Sequence, residues 1–295
     1  MAKIETGTSG EVDTVTERLP KLCIVAGGGS APRVVIDICR KQGRDFFLVC
    51  LEGQADAATA DSSPHVWLPL GAGAKLKTLV AEHGIEELLM IGRVRRPSLL
   101  ELKPDWLALK TVTKIGMNML GDDALLRGIG KAMEEEIGVR VIGAQDIFAD
   151  LLTPEGQLGR IAPYAEAEKD IARGIEVARA LGSVDVGQAV IVQQGLVLGV
   201  EAIEGTDALI ARSASLRREG PGGVLVKLAK PQQDNRYDLP TIGPETVAVA
   251  AKAGLSGIVI EAGRSFLVER EKTVALADEA GIFVVGRSVD LRAHD

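Results

Sequence analysis

The stretch LVKLAKPQQDNRYDLPTIGPETV, Leu225 to Val247, places Lys227, Lys230, Asp234, Arg236 and Asp238 within twelve residues, around Pro231 and ahead of Pro240. No helical or strand period accounts for that spacing. Both charge signs in a proline-stiffened loop suit a polyphosphate together with a hard cation. Lysine and arginine hold phosphate oxygens, arginine by a two-pronged contact, and carboxylates ligate Mg²⁺ beside the phosphate. The bland alternative is a solvated loop with surface ion pairs, each worth about 0–1 kcal/mol. Lys227 argues against it, because it ends an apolar strand-like run where an idle buried lysine would be costly.

Two other runs end on polar residues of the same kind. VEAIEGTDA carries Glu201, Glu204, Thr206 and Asp207, and EAGRS carries Glu261 and Arg264. Parallel neighbouring strands would gather these groups with Lys227, Lys230 and Gln233 at one sheet edge, the usual ligand crevice of an open α/β sheet. For Glu201 and Asp207 a strand-end acid and a helix cap are plain alternatives. In the first half, Gly27, Gly28 and Gly29 follow the apolar run Leu22 to Ala26. Such bare backbone lets an anion approach a helix N-terminus, or simply makes a tight turn. The dinucleotide signature would need glycine where Pro32 stands, and Glu52, about 25 residues on, is weak evidence for a ribose-binding acid. In GDDALLR, Asp122 and Asp123 open a helix, where they either cap free N–H groups or face a cleft between domains.

The elements that must carry these residues alternate. After the first run, Arg33 to Gln42 has helical spacing and Phe46 to Leu51 is a second buried strand, which makes a βαβ unit. VWLPL, a helix over 73–83, ELLMIG, a helix over 123–136 and VRVIGA continue the pattern as an open, mostly parallel, Rossmann-like sheet. Thr153-Pro154-Glu155-Gly156 is a turn signal. Beyond it come a helix, a hairpin turning near Gln194-Gly195, a helix capped by Thr206 that runs to about Arg218, the strand ending at Lys227, a helix from Pro244 closed by Gly254, and a final strand–helix–strand set with its helix over 273–280. The chain is therefore expected to be α/β. Residues 1–19 form a disordered leader, 20–150 a Rossmann-like domain, 151–162 a linker and 163–295 a mixed α/β catalytic domain, with the active site in the cleft.

Composition narrows the function. A length of 295 residues allows two cores. Aromatics at 3% and a net charge of −7 argue against nucleic acid as the partner. Cys23, Cys39 and Cys50 sit in apolar runs without metal-ligand spacing and read as reduced, buried thiols of a cytoplasmic protein. His65, His83 and His294 are too scattered to suggest zinc. No window supplies the ~20 apolar residues that cross a bilayer.

The blocks AGGGSAP, GDDALLR, DVGQAVIVQQGLVLGVEAIEGTDALIAR, GVLVKLAKPQQDNRYDLPTIGPETV, AGLSGIVIEAG and ADEAGIFVVG occur in this order. They resemble UDP-2,3-diacylglucosamine pyrophosphatases of the LpxI type, with EGTD and KPQQDNRYDLPTIGP the most specific. The resemblance implies a lipid A pathway enzyme that uses Mg²⁺ to hydrolyse UDP-2,3-diacylglucosamine to UMP and 2,3-diacylglucosamine 1-phosphate (lipid X). It implies attack on the sugar-side phosphorus, a two-domain cleft, a homodimer and a transient dock on the inner-membrane surface. On that basis Asp234 is the first metal ligand and Asp238 the second, and Lys227 and Arg236 complete the catalytic set. Gly27, Gly28, Gly29, Asp122, Gln188, Glu201, Glu204, Thr206, Asp207, Lys230, Gln233, Thr241, Glu261 and Arg264 are expected to line the substrate, with Glu204 or Asp207 orienting water. Competing classes are an NAD-dependent oxidoreductase or ATP-grasp-like ligase, and a non-catalytic sugar-nucleotide or lipid sensor.

Overall fold

The computed structural model describes residues 18–95, 104–115, 122–147, 151–234, 236 and 239–289. Most of the expected leader lies outside these residues; Arg18 at its end pairs with Glu86 at 2.6 Å.

The first domain runs β1 (Leu22–Ala26), α1 (Ala31–Lys41), β2 (Phe46–Leu51), the single turn α2 (Ala57–Ala60), β3 (His65–Leu68), α3 (Gly73–His83) and β4 (Glu87–Ile91). It continues with α4 (Trp106–Ile115), α5 (Asp122–Ala132) and its π-helical extension Met133–Ile137, β5 (Arg140–Val141) and α6 (Ala144–Ile147). All five strands are parallel, in the order β3-β2-β1-β4-β5. The unbroken apolar character of β1 follows from burial on both faces. Leu22, Ile24 and Ala26 pack with Val35, Ile36 and Cys39 of α1, whereas Cys23 and Val25 pack with Leu76 and Val80 of α3. The chain leaves β1 and β4 in opposite senses, so the crevice at their C-terminal ends is the switch point of the sheet. All three cysteines are buried and unbridged, as expected from their apolar settings.

The second domain runs β6 (Gly156–Gln157), α7 (Ala165–Ser183), β7 (Ala189–Gln193), β8 (Leu196–Val200), α8 (Thr206–Ser213), β9 (Val224–Lys227), β10 (Thr241–Ile242) and α9 (Pro244–Ala253). It closes with β11 (Gly257–Glu261), β12 (Phe266–Leu267), α10 (Arg270–Glu279) and β13 (Phe283–Arg287). Its sheet has the order β6-β13-β11-β9-β7-β8. β9, β11 and β13 are parallel, while β7 and β6 run against them. β10 and β12 form a separate parallel pair. The hairpin turns at Gln194 and Gly195, both at positive φ (54° and 76°), the geometry of a tight two-residue loop. The buried carboxylate of Asp170 accepts from both of their N–H groups, at 3.0 and 2.6 Å. α7 lies so close to the sheet that any side chain at Gly174 would collide with Val226.

Three expectations change. Residues 151–162, expected as a linker, are built into the second domain. Thr153 exchanges backbone bonds with Ser265 and Gly263, and the turn at Pro154-Glu155-Gly156 feeds the edge strand β6 onto β13. Thr206 is not a cap: Gly205 takes the N-cap position and Thr206 is the first helical residue. α8 also stops well before Arg218, passing through one 3₁₀ turn to extended backbone at Arg217. Gln193, almost fully buried, needs that extension, because its side-chain amide bonds both the N–H and the C=O of Arg218.

Across the junction, Leu239 and Phe266 of the second domain belong to the cluster that contains Leu22, Ile24, Val35 and Ile142 of the first, with Leu151 and Leu152 packed against it. The two domains share one apolar seam.

Candidate active site

The antiparallel position of β7 brings the C-terminal ends of β8, β9 and β11 to one edge, and three groups of polar residues assemble there. At the β7–β8 end, the buried carboxylate of Glu201 accepts from the Thr206 hydroxyl (2.6 Å) and the Gln188 N–H (3.1 Å). Lys227 pairs in register with Ala189 on one side and Ile260 on the other. It is 8% exposed, and its Nζ donates to the Thr241 carbonyl at 3.1 Å. An inward lysine at the end of an apolar strand is held there by a carbonyl.

The second group follows β9 and β11. The Lys230 ammonium is paired with Asp185, itself at positive φ, and the Lys230 N–H donates to Gln233 Oε1. Glu261, at 3% exposure, accepts from the Ala229 N–H (2.8 Å) and from Arg264 (3.2 Å). Burial pushes its carboxyl above the usual range, against the pull of the Arg264 charge and the Ala229 bond.

The third group is the charged loop, which lies along the first domain. Arg236 grips Asp234 as a fork, Nε to Oδ1 at 3.1 Å and Nη2 to Oδ2 at 2.9 Å, and its own N–H donates to Oδ1. The same guanidinium reaches Glu134 at 3.3 Å, and Arg127 donates to the Gln232 carbonyl at 2.6 Å. The Arg236 fork holds the Asp234 carboxyl below its ordinary value, so it stays an anion. Among the described residues no three His, Cys, Asp or Glu side chains converge as a metal cage. Mg²⁺ does not need one, since it takes one or two carboxylates with phosphate oxygens and water. Asp234, anionic and only a quarter exposed, accepts on both oxygens from Arg236, so a hard cation would share those oxygens with the fork. The fit is acceptable. Asp238 and the Asp122 side chain lie outside the described residues, although α5 does begin at Asp122.

The loops after β1 and β4 meet opposite this edge. Gly28 and Arg93 exchange two backbone bonds of 2.8 Å, the Gly27 N–H bonds Ile91, and the Gly29 N–H bonds the Asp56 carboxylate at 2.7 Å. The N–H groups of the glycine triplet are thus spent within the protein. The glycines are needed for close approach, because a side chain at Gly27 would strike the Arg93 carbonyl. Arg93 then crosses to the second domain, Nη1 to Asp207 at 2.9 Å and Nη2 to Glu245 at 2.7 Å. A cavity of about 340 Å³ opens here among Gly28, Gln54, Asp56, Arg93, Arg95 and Glu245. Glu204, by contrast, is held by Arg212 and the Ala202 N–H, and the Arg212 bond keeps its carboxyl low.

The structure thus joins Gln188, Glu201 and Thr206; Lys227 and Thr241; Lys230, Gln233, Glu261 and Arg264; and Asp234 with Arg236. Arg93, Asp56 and Glu245 were not singled out from sequence. The signal was available in IGRVRRP directly after a strand, but its meaning depends on β4 lying beside β1.

Models of the LpxI N-terminal and C-terminal domains match residues 21–151 and 154–285. The UDP-2,3-diacylglucosamine pyrophosphatase LpxI of Caulobacter vibrioides is 41% identical over 273 residues, 90% of this chain and 97% of that one. Among solved structures, the biotin carboxylase domain of Hydrogenobacter thermophilus 2-oxoglutarate carboxylase is 15% identical over 68% of this chain, at a TM-score of 0.24. This chain spans 41% of its length, a likeness too slight to bear on fold or function.

Proposed function

The chain belongs to the LpxI family, and from that premise we propose that it hydrolyses the diphosphate of UDP-2,3-diacylglucosamine to UMP and 2,3-diacylglucosamine 1-phosphate in lipid A biosynthesis. The observation that carries this reading is the 41% identity to the Caulobacter pyrophosphatase across almost its whole length. The site chemistry supports it. The edge of the second sheet offers cations for a diphosphate in Lys227, Lys230, Arg236 and Arg264, beside carboxylates suited to a hard metal.

Asp234 would hold Mg²⁺ through a carboxylate oxygen, with Asp238 as a second ligand. Bound there, the ion would neutralise diphosphate charge, the largest electrostatic demand of phosphoryl transfer. Arg236 orients Asp234 and keeps it ionised. Lys227, withdrawn from water, presents a positive charge where a non-bridging phosphate oxygen gains most from it. Of the two candidates for orienting water, Glu204 is held by Arg212 within its own domain, and Asp207 by Arg93 across the junction. Attack on the sugar-side phosphorus makes UMP the leaving group. Each acyl methylene removed from water contributes about 0.8 kcal/mol, so two chains would supply much of the affinity and draw the protein to the inner-membrane surface, where it would act as a homodimer. Among the described residues no helix is long and apolar enough to cross a membrane.

The test is incubation of the purified protein with UDP-2,3-diacylglucosamine, with Mg²⁺ and separately with EDTA, followed by mass spectrometry. UMP and the sugar 1-phosphate should appear with Mg²⁺ only. Intact substrate under every divalent ion would overturn the reading. Products in EDTA would remove the metal from it.

A further inference from the structure

We propose that Arg93 is a diphosphate-binding residue, and that Asp207 and Glu245 are the partners it gives up when the diphosphate enters. The inference rests on the hydrolase reading above and goes beyond it by naming a first-domain residue that meets the substrate.

Arg93 stands two residues beyond β4, at the switch point where an open α/β sheet receives its ligand. Its backbone is fixed by the paired bonds with Gly28. That pairing exists only because the two loops lack side chains at the contact, where a Cβ at Gly27 or Gly92 would collide with the opposite loop. A flexible cation is thereby mounted on a rigid post, at the cavity it shares with Gly28, Asp56 and Arg95. The guanidinium fork matches phosphate oxygens better than it matches two separate carboxylates.

Its present contacts are of the exchangeable kind. Each carboxylate receives one nitrogen, and the Arg93 side chain is 66% exposed. Exposed ion pairs of this sort contribute little. Asp207 and Glu245 also lie in the first turns of α8 and α9, where helix dipoles support a negative charge after the arginine has left. Other cations at the edge are tied to better buried partners, Lys230 to Asp185 and Arg264 to Glu261. Arg93 is more exposed than Lys230, Arg236 or Arg264, and it can move between the domains as the diphosphate arrives.

The experiment combines turnover of UDP-2,3-diacylglucosamine with calorimetric titration of UDP, for the wild-type protein, Arg93→Ala, Arg93→Lys and Glu245→Gln. Loss of charge-assisted bonds should lower kcat/KM and UDP affinity in Arg93→Ala by about 10–100-fold. Arg93→Lys should recover part of that loss. Glu245→Gln, which removes a competitor, should hold UDP as tightly as wild type or about twofold more tightly. A purely structural tether predicts the reverse, with Arg93→Ala and Glu245→Gln losing activity and thermal stability together, and that pattern would overturn the proposal. Wild-type kinetics in Arg93→Ala would overturn it as well. A wild-type protein that neither turns over the substrate nor binds UDP would instead overturn the hydrolase reading beneath it.

Discussion

At one side of the domain junction, Leu239 and Phe266 are buried among Leu22, Ile24, Val35 and Ile142. At the other, Arg93 meets Asp207 and Glu245, and Arg236 meets Glu134, through side chains that are between about a third and two thirds exposed. A buried Leu or Phe contributes about 1.5–3 kcal/mol, whereas an exposed pair contributes about 0–1 kcal/mol. The apolar seam therefore fixes how the domains sit, and the charged side is left free for chemistry. A junction held by charges on both sides would have to break its own support to bind a diphosphate. Here the support and the site are made of different interactions.

Breaking the seam should have the largest effect. Phe266→Ala is expected to cost about 3–5 kcal/mol, read as a lower denaturation midpoint; a loss under about 1 kcal/mol would mean that the seam does not carry the junction. On the charged side, Asp234→Asn preserves shape and the bond from the Arg236 N–H while removing the charge. Turnover should fall by about 100-fold or more, with only a small fall in midpoint from the weakened Arg236 pair. Near-normal turnover would take Asp234 out of the chemistry. Lys227→Met tests the contrast within one side chain, since it keeps the volume of a residue buried to 8% and drops the charge. Stability should hold or rise as the desolvation cost disappears, while turnover falls by about tenfold or more. A marked loss of stability with full activity would make Lys227 a structural residue.

The seam and the charged loop differed in how legible they were. β1, β2 and β4 were readable because buried parallel strands are continuous apolar runs, and the helix over 73–83 ends on Gly84 at positive φ. β10 and β12 were not readable, since two-residue strands carry no period and form by pairing across 25 residues of sequence, Thr241 with Phe266. The helix Trp106–Ile115 was also missed; its threonines weaken helical propensity and blur the pattern. Among site residues, the KPQQDNR charges were conspicuous because no period explains them. Arg93 gained meaning only from the strand order, and Glu204 lost part of its catalytic case once Arg212 was found against it.

The smallest expected effect is the most diagnostic of burial against pairing. Asp234 lies in the loop after β9 and Glu261 ends the neighbouring β11, yet their carboxyls shift in opposite directions, Asp234 down through the Arg236 fork and Glu261 up through burial. Asp234 thus contributes stability that is present above its unfolded value, near 3.8, and is lost as pH falls through its lower folded value. For Glu261 the sign reverses. Its folded state keeps a proton that the unfolded chain releases near 4.5, so that contribution is full below 4.5 and is lost as pH rises through the raised folded value. Glu261→Gln is neutral at every pH and its amide oxygen can still accept from the Ala229 N–H. Relative to wild type it should therefore gain stability as pH rises above 4.5, levelling off once wild-type Glu261 is ionised. Denaturation midpoints of both proteins from about pH 4 to 8 measure that difference directly. A difference that stays flat with pH would mean that Arg264 and Ala229 compensate the buried charge fully, and that this edge is governed by pairing alone, as the exposed mouth is.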